Sequence, residues 1–281
     1  MPISVRTVSG DRFSCYRTTH SIRYYCEVHT VEEIGEAFQF AAQNGLSVYA
    51  LGNGSNTFLE RKTIRTFIIR NALPAEIVEL DDGVLDVSSS VQISDLLQYL
   101  YRNGLDGPYY LSALPASLGG VLAMNAGRGK GHDRQISDYV QEVAFFYRGE
   151  IHRWTPQQYC AGYRHTAFLE MDNVFILSAT MSFGHCQHEG NPILDRRIWV
   201  REYQDLTGPN CGSVFTEYSG TLLRYYSRLT RFLPASFSHT TPNWVINRAA
   251  NPIYLRTLIN ACILLHRLLR KRIRLELRRV S

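Results

Sequence analysis

Residues 114 to 131, LPASLGGVLAMNAGRGKG, constrain this chain more than any other stretch, because they make neither a good helix nor a good strand. Glycines at 119, 120, 127, 129 and 131 alternate with Ala116, Ala123 and Ala126, so the backbone can press against a ligand or another backbone. A second run of the same character, LGNGSNTFL at 51 to 59, follows the apolar segment LSVYA, which reads as a strand. Two such runs imply one long ligand held at both ends, and a dinucleotide has the right form. The chain after residue 183 is then expected to bring the reacting groups.

Composition narrows the class. With 281 residues the chain can bury a full core, in one large domain or two to three small ones. Its hydrophobic share of 45% against 20% charged is that of an ordinary globular protein and excludes a disordered one. The formal charge of +5 suits an anionic ligand, although solubility explains it equally well. The N-terminus, MPISVRTVSGDRF, has no basic region ahead of an apolar core, and no run is long enough to span a bilayer. The six cysteines are irregularly spaced and include no CxxC pair, so a reduced, cytoplasmic chain is expected.

Local signals order the elements. Thr30 with Glu33 forms a capping box that opens a helix through Asn44, closed by Gly45. The strand Leu46 to Leu51, the first glycine loop and a strand from Ile64 to Arg70 complete a βαβ-like opening. From residue 77, IVEL and VLDVS flank Asp82-Gly83 as a hairpin, and YVQEVAFFY and EIHRW flank Arg148-Gly149 as another. Between them lies a helix from Ile93 to Asn103, and VFILSATMSF closes the block near residue 183. Alternating hairpins and helices predict a mixed α+β architecture in place of a doubly wound parallel sheet. Residues 184 to 210 read as a polar connector with a short helix near 196 to 204. Beyond it come a strand at 244 to 247 and a long helix from Ile253 to Arg270, whose Leu255, Leu258, Ile259, Cys262, Leu265 and Leu269 follow the helical period.

Gly52 and Gly54 can present successive backbone N–H groups to phosphate oxygens, although Asn53-Gly54 between apolar residues is equally a hairpin turn. The run is not the Rossmann fingerprint, since Thr57 stands where the third glycine belongs. His185-Cys186-Gln187-His188 has ligand-type residues without a further ligand pair, so no metal is expected. Eight Lys or Arg residues between Arg256 and Arg279 raise nucleic acid as a partner; a solvated helix face explains them better. Cys211 has no charge partner in view and is expected to be inert.

Five segments together resemble one family. LGNGSNTFL is similar to the LGgGSNlLv loop of the UDP-N-acetylenolpyruvoylglucosamine reductases (MurB), and LPASLGGVLAMNAGRGKG to their iPGtvGGAv-MNAGayG segment. GYRHTAF at 162 to 168 resembles gYR-S-F, NCGSVF at 210 to 215 resembles sAGSfFkNP, and NWVINRAA at 243 to 250 resembles nfivN-G-A, all in the family's order. The resemblance implies an α+β protein with a vanillyl-alcohol-oxidase/PCMH-type FAD-binding fold of two α+β subdomains, residues 1–72 and 73–183, followed by a MurB-like C-terminal α+β substrate domain, 184–281. It implies non-covalent FAD and NADPH as the electron donor, with hydride passing to the enolpyruvyl double bond of a UDP-sugar. The cofactor would be held by Gly52, Asn53, Gly54, Ser55 and Asn56 of the first loop and by Pro115, Ser117, Gly119, Gly120, Asn125, Ala126 and Gly127 of the second.

Carried over position by position, Ser213 matches the serine that protonates the carbanionic carbon, and Arg164 the arginine that polarises the substrate carboxylate. Elementary chemistry agrees, because hydride addition to an enol ether conjugated to a carboxylate pushes charge onto that carboxylate. A hydroxyl on the opposite side can finish the reaction. Without the motif, Arg164 reads as a surface ion pair and Ser213 as a turn residue.

Departures put the family's substrate in doubt. Where the family has LEPEV with its catalytic glutamate, LELRR places Arg278, and Thr216 and Glu217 replace a lysine and an asparagine. The T-f-r-iGG stretch reads TTHSIRYY at 18 to 25, without its glycines. These changes predict a diverged oxidoreductase acting on another small, anionic substrate, with neither nucleic acid nor membrane as partner. Its alternatives are the genuine peptidoglycan-precursor reductase and a flavin-binding protein without catalysis.

Overall fold

The structure, a computed structural model, describes residues 3–127, 129 and 134–281; Gly131 of the glycine-rich run lies outside them. The chain divides into two compact units, each discontinuous in sequence. Unit one comprises Met1–Val5, Tyr25–Gly52 and Phe67–Ile198, and unit two Arg6–Tyr24, Asn53–Thr66 and Trp199–Ser281.

In unit one, helix α1 (Val31–Gln43) forms where the capping signal places it. The Thr30 hydroxyl accepts from the Glu33 backbone N–H, and the Glu33 carboxylate accepts from the His29 N–H. Gly45, at φ +61°, ends the helix. Ile34, Ala37 and Ala41 form its buried stripe. Replacing an N-cap threonine leaves an orphaned N–H, so Thr30→Ala is expected to lower stability by about 1 kcal/mol in urea unfolding, with Thr30→Ser close to unchanged.

Beside α1, Tyr25–Val28 and Val48–Leu51 pair in parallel with the two sides of Phe67–Asn71. The second sheet of this unit is antiparallel throughout, in the order Glu150–Trp154, Val140–Tyr147, Val174–Ser182, Val84–Ser88, Ile77–Asp81. Its hairpin turns at Arg148 and Gly149, with φ of +53° and +89°, the two positive values that a tight two-residue turn between right-twisted strands requires.

Helix α2 (Ile93–Arg102) buries Ile93, Leu96, Leu97 and Leu100 in the same core as Leu85, Val87 and Phe145. Residues Leu118–Ala123 form helix α3, so the glycine-rich run is partly helical after all. Two glycines cost a helix about 2 kcal/mol relative to alanine. Burial of Leu118, Val121 and Leu122 on one face offsets that, and a Cβ on Gly119 would come within 3.0 Å of Ser89 Cβ, so the packing itself selects glycine. The short helix α4 (Pro156–Tyr159) and α5 (Pro192–Tyr203) complete the helices that begin in this unit.

Unit two has its own core, built from Tyr16, Phe58, Val214, Phe215, Leu223, Phe237, Val245 and the buried residues Leu255, Leu258, Ile259 and Cys262. Strand Thr57–Leu59 pairs in parallel with Arg278–Val280, and Phe215–Glu217 lies antiparallel to Arg274–Leu275. Ala235–Phe237 pairs with Val245–Asn247. Helix α6 (Gly220–Thr230) is absent from the sequence reading, because two of its three buried residues, Ser227 and Thr230, are polar and the helical stripe is therefore masked. Helix α7 (Pro252–Leu268) buries Leu255, Leu258, Ile259 and Cys262 as its period predicts, but Leu265 is only half-buried, and Leu269, expected in the stripe, is the C-cap residue and 49% exposed because the helix has ended before it. No helix among the described residues is long and apolar enough to cross a membrane.

Candidate functional site

Unit one brings parts of the two glycine runs together. Strand Val48–Leu51 ends at Gly52, where a Cβ would lie 2.8 Å from Ser117 Oγ at the start of α3. A methyl at this position would require the Ser117 hydroxyl to rotate away. Ser117 is buried and its hydroxyl has no hydrogen-bond partner among the described residues, so a polar group placed there by a ligand would relieve a real cost. The Arg70 guanidinium donates to the Gly52 carbonyl and fixes the peptide from its other side.

The far end of the second run is equally constrained. Asn125 takes a left-handed conformation, φ +41°, and its side chain bonds Gln135 Oε1 at 2.9 Å while accepting from the Ser137 N–H at 3.3 Å. Asn125 thereby folds the chain back on itself, which puts Ala126 and Gly127 next to 134–136. A Cβ on Gly127 would sit 2.6 Å from the Arg134 carbonyl oxygen. Pro115 and Gly120 are exposed on the same run, and Gly119 is pinned through its N–H to the Ser89 carbonyl.

Arg164 joins this cluster. It sits in a two-strand hairpin between Cys160–Gly162 and His165–Thr166, at φ +54°, a conformation that costs a non-glycine residue about 1–2 kcal/mol. Its guanidinium donates to the Gly127 carbonyl at 3.2 Å and stacks over Tyr163. Thr166 donates to the Ala123 carbonyl at 2.6 Å, which fastens the same hairpin to the end of α3.

Sequence reasoning missed Tyr110, whose hydroxyl is buried without a partner among the described residues. Burial first, and the neighbouring Tyr139 and Asp138 second, push this phenol well above its ordinary pKa, while Arg134 and Arg164 pull it back. The group therefore stays protonated and able to donate. No motif marks it; the signal available was only its place four residues ahead of the glycine run.

In unit two, Gly54 has φ +71°, and a Cβ there would lie 2.3 Å from the Phe13 carbonyl oxygen. Its own carbonyl accepts from the Cys15 N–H at 3.0 Å. Asn56 ties the loop to the C-terminus, with its side chain donating to the Glu276 carbonyl and its carbonyl accepting from the Arg278 N–H at 2.9 Å. Asn53 accepts at its carbonyl from the Cys15 thiol, and Ser55 is half-buried in the same turn.

Ser213 follows Gly212, at φ +71°, and pairs with Trp244 across an isolated bridge. The segment is clamped from both sides. Asn243 accepts from the Phe215 N–H and donates to the Phe215 carbonyl, while Val214 accepts from the Glu276 N–H. A half-buried hydroxyl on so rigid a backbone is suited to delivering a proton in a fixed direction. Arg164 and Ser213 belong to different units, one to each.

Cys211 is buried, its thiol directed at the Gly54 and Thr57 carbonyls, and burial raises its pKa far enough to keep it a thiol. His185 pairs with Asp82 at 2.8 Å and His188 packs edge-on against Tyr109. Among the described residues no group of three His, Cys, Asp or Glu is placed to hold a metal ion.

The Gly52–Ser117 approach, the unpartnered Ser117 hydroxyl and the tight cradle at Gly127 fit a flavin dinucleotide, whose phosphates need close backbone and hydroxyl donors. Comparison with known proteins bears on the same residues. Residues 22–154 match the FAD binding domain family model. The chain is 27% identical over 220 residues to the UDP-N-acetylenolpyruvoylglucosamine reductase of Chlamydia pneumoniae, covering 77% of this chain and 70% of that protein. It is 31% identical over 196 residues to the enzyme of the same name from Listeria monocytogenes, covering 68% of this chain and 63% of that protein. The crystal structure of the reductase MurB from Thermus caldophilus superposes with a TM-score of 0.77 at 22% identity, over 99% of this chain and 100% of that one, and so shares its fold.

These findings define the class: an FAD-dependent oxidoreductase with a PCMH-type FAD-binding fold and a further α+β domain at its C-terminus. Within that class the chain belongs to the MurB family, the UDP-N-acetylenolpyruvoylglucosamine reductases and their relatives.

Proposed function

We propose that the protein reduces an enol-type carbon–carbon double bond conjugated to a carboxylate, with NADPH as the electron donor, on a small anionic substrate other than the family's UDP-sugar. FAD, when bound, supplies the hydride chemistry. Gly52 to Asn56, Ser117, Gly119 and Gly127 would hold it, with Pro115, Gly120, Asn125 and Ala126 shaping the second loop. Arg164 would bind the substrate carboxylate and stabilise the charge that builds on it, a contact worth most in a site from which water is excluded. The Ser213 hydroxyl would give its proton to the carbon left with the electron pair.

The observation that supports this reading best is the fastening of Arg164 to Gly127, which ties the proposed carboxylate-binding group to the loop proposed to hold the cofactor. Divergence from the UDP-sugar rests on Arg278 and Glu217. A guanidinium cannot donate a proton as a carboxylic acid does, and Arg278 is built into a strand that pairs with Thr57–Leu59. Glu217 lies opposite Arg274 in its own strand pair, and its carboxylate would repel a diphosphate. Residues 184–281 remain the proposed substrate domain.

The purified protein is expected to be yellow, and anaerobic NADPH is expected to bleach its visible band. The reduced protein should then be reoxidised slowly or not at all by the UDP-enolpyruvyl sugar. A colourless protein that takes up no added FAD defeats the reading as a whole. Turnover of the UDP-enolpyruvyl sugar at ordinary enzymatic rates defeats the divergence alone.

A further inference from the structure

Helix α6 is amphipathic in an unusual sense. Its inner face is Leu223, Ser227 and Thr230, and the two hydroxyls are satisfied by the Arg224 and Tyr226 carbonyls of the helix itself. The outer face repeats with the helical period as Tyr225, Leu229 and Phe232, exposed by 57, 60 and 92%. Arg224, Arg228 and Arg231 run beside them at the same spacing, all exposed, and the Arg231 guanidinium lies 5.5 Å from the centre of the Phe232 ring. Single exposed apolar residues are commonplace, but a stripe of them in register with a stripe of cations is not.

Charge extends the pattern well beyond the helix. Between Glu217 and Glu276 the chain has ten Lys or Arg and no Asp or Glu, although the whole protein carries a net charge of only +5. The end of α7 has the same composition: Leu264 and Leu268 are exposed by 57 and 71%, with Arg267, Arg270 and Lys271 exposed around them. The sequence reading took the basic residues of α7 for a solvated face. Leucines this exposed are not explained by solvation, and they have no use in stacking on nucleic-acid bases, which calls for aromatic rings.

We propose that the outer face of α6 and the turn at Phe232–Leu233 dock on an anionic lipid bilayer surface, with α6 lying in the plane of the headgroups. The 11-residue helix is about 16 Å long, too short to span and suited to lying flat. Tyr225, Leu229 and Phe232 would enter the acyl boundary, and the three arginines would meet the lipid phosphates.

Sedimentation of the flavin-loaded protein with vesicles tests this, using phosphatidylcholine alone and phosphatidylcholine mixed equally with phosphatidylglycerol. The protein is expected to sediment with the anionic vesicles only, and to be released by raised salt. Replacing Arg224, Arg228 and Arg231 together by Gln should weaken binding about a hundredfold, at roughly fivefold for each charge. Leu229→Ser with Phe232→Ser should weaken it by about tenfold or more while leaving the flavin spectrum unchanged. No sedimentation with anionic vesicles overturns the proposal, as does equal sedimentation with neutral ones or indifference to both sets of substitutions. Binding of a single-stranded oligonucleotide that needs the arginines and ignores Leu229 and Phe232, without vesicle binding, would assign the surface to nucleic acid instead.

Discussion

Gly54→Ala is expected to lower stability by roughly 3–5 kcal/mol and to abolish flavin retention. Two costs combine. A residue with a Cβ at φ +71° loses about 1–2 kcal/mol from its backbone conformation alone. The methyl would also have to displace the Phe13 carbonyl, 2.3 Å away, which is backbone and cannot rotate aside. Gly212 separates the two effects, since it has the same φ of +71° in the same unit, with nothing within 4 Å of its missing Cβ. Gly212→Ala should show only the backbone cost. Equal losses in the two variants, read from urea unfolding, would mean that the Phe13 contact yields and that the first loop is not rigidly built.

Ser213→Ala is expected to lower kcat by a factor of about 10² to 10⁴ while leaving the rate of flavin bleaching by NADPH unchanged. The split matters more than the size. Removing a proton donor affects the half-reaction that consumes the substrate and leaves the earlier one intact, whereas a merely structural serine would affect flavin retention and both halves together. Stopped-flow measurement of the two half-reactions distinguishes these cases, and a variant as active as the unsubstituted protein ends the role proposed for Ser213. The turn itself should survive, because the Asn243 contacts with Phe215 and the Glu276 contact with Val214 hold the segment without the serine side chain.

Legibility in the sequence followed the range of the interaction. Thr30 with Glu33, Gly45 and Arg148-Gly149 act within one turn of helix or one hairpin, so their residue types announce them, and the structure has them where they were expected; the α7 stripe holds from Leu255 to Cys262 and fails at Leu269, past the end of the helix. Helix α3 was hidden because its two glycines argue against a helix unless Ser89 is known to press on one of them. Helix α6 was hidden because Ser227 and Thr230 stand beside Leu223 on its buried face while Tyr225 and Leu229 are exposed, which breaks the usual apolar stripe.

What the amino-acid sequence determined by itself is the inventory: two glycine runs in a given order, a glycine at the Gly45, Gly83 and Gly149 turns, an acid-free basic segment, and an arginine where related proteins carry a glutamate. Tertiary structure alone decided which of these meet. Ser117 faces Gly52 across 65 residues of chain, Arg164 reaches the Gly127 carbonyl across 37, and Gly54 is closed over by Phe13 from the N-terminus. The reason is that such approaches depend on strand register and helix packing between distant segments, where a shift of one residue turns every side chain to the opposite face of its sheet.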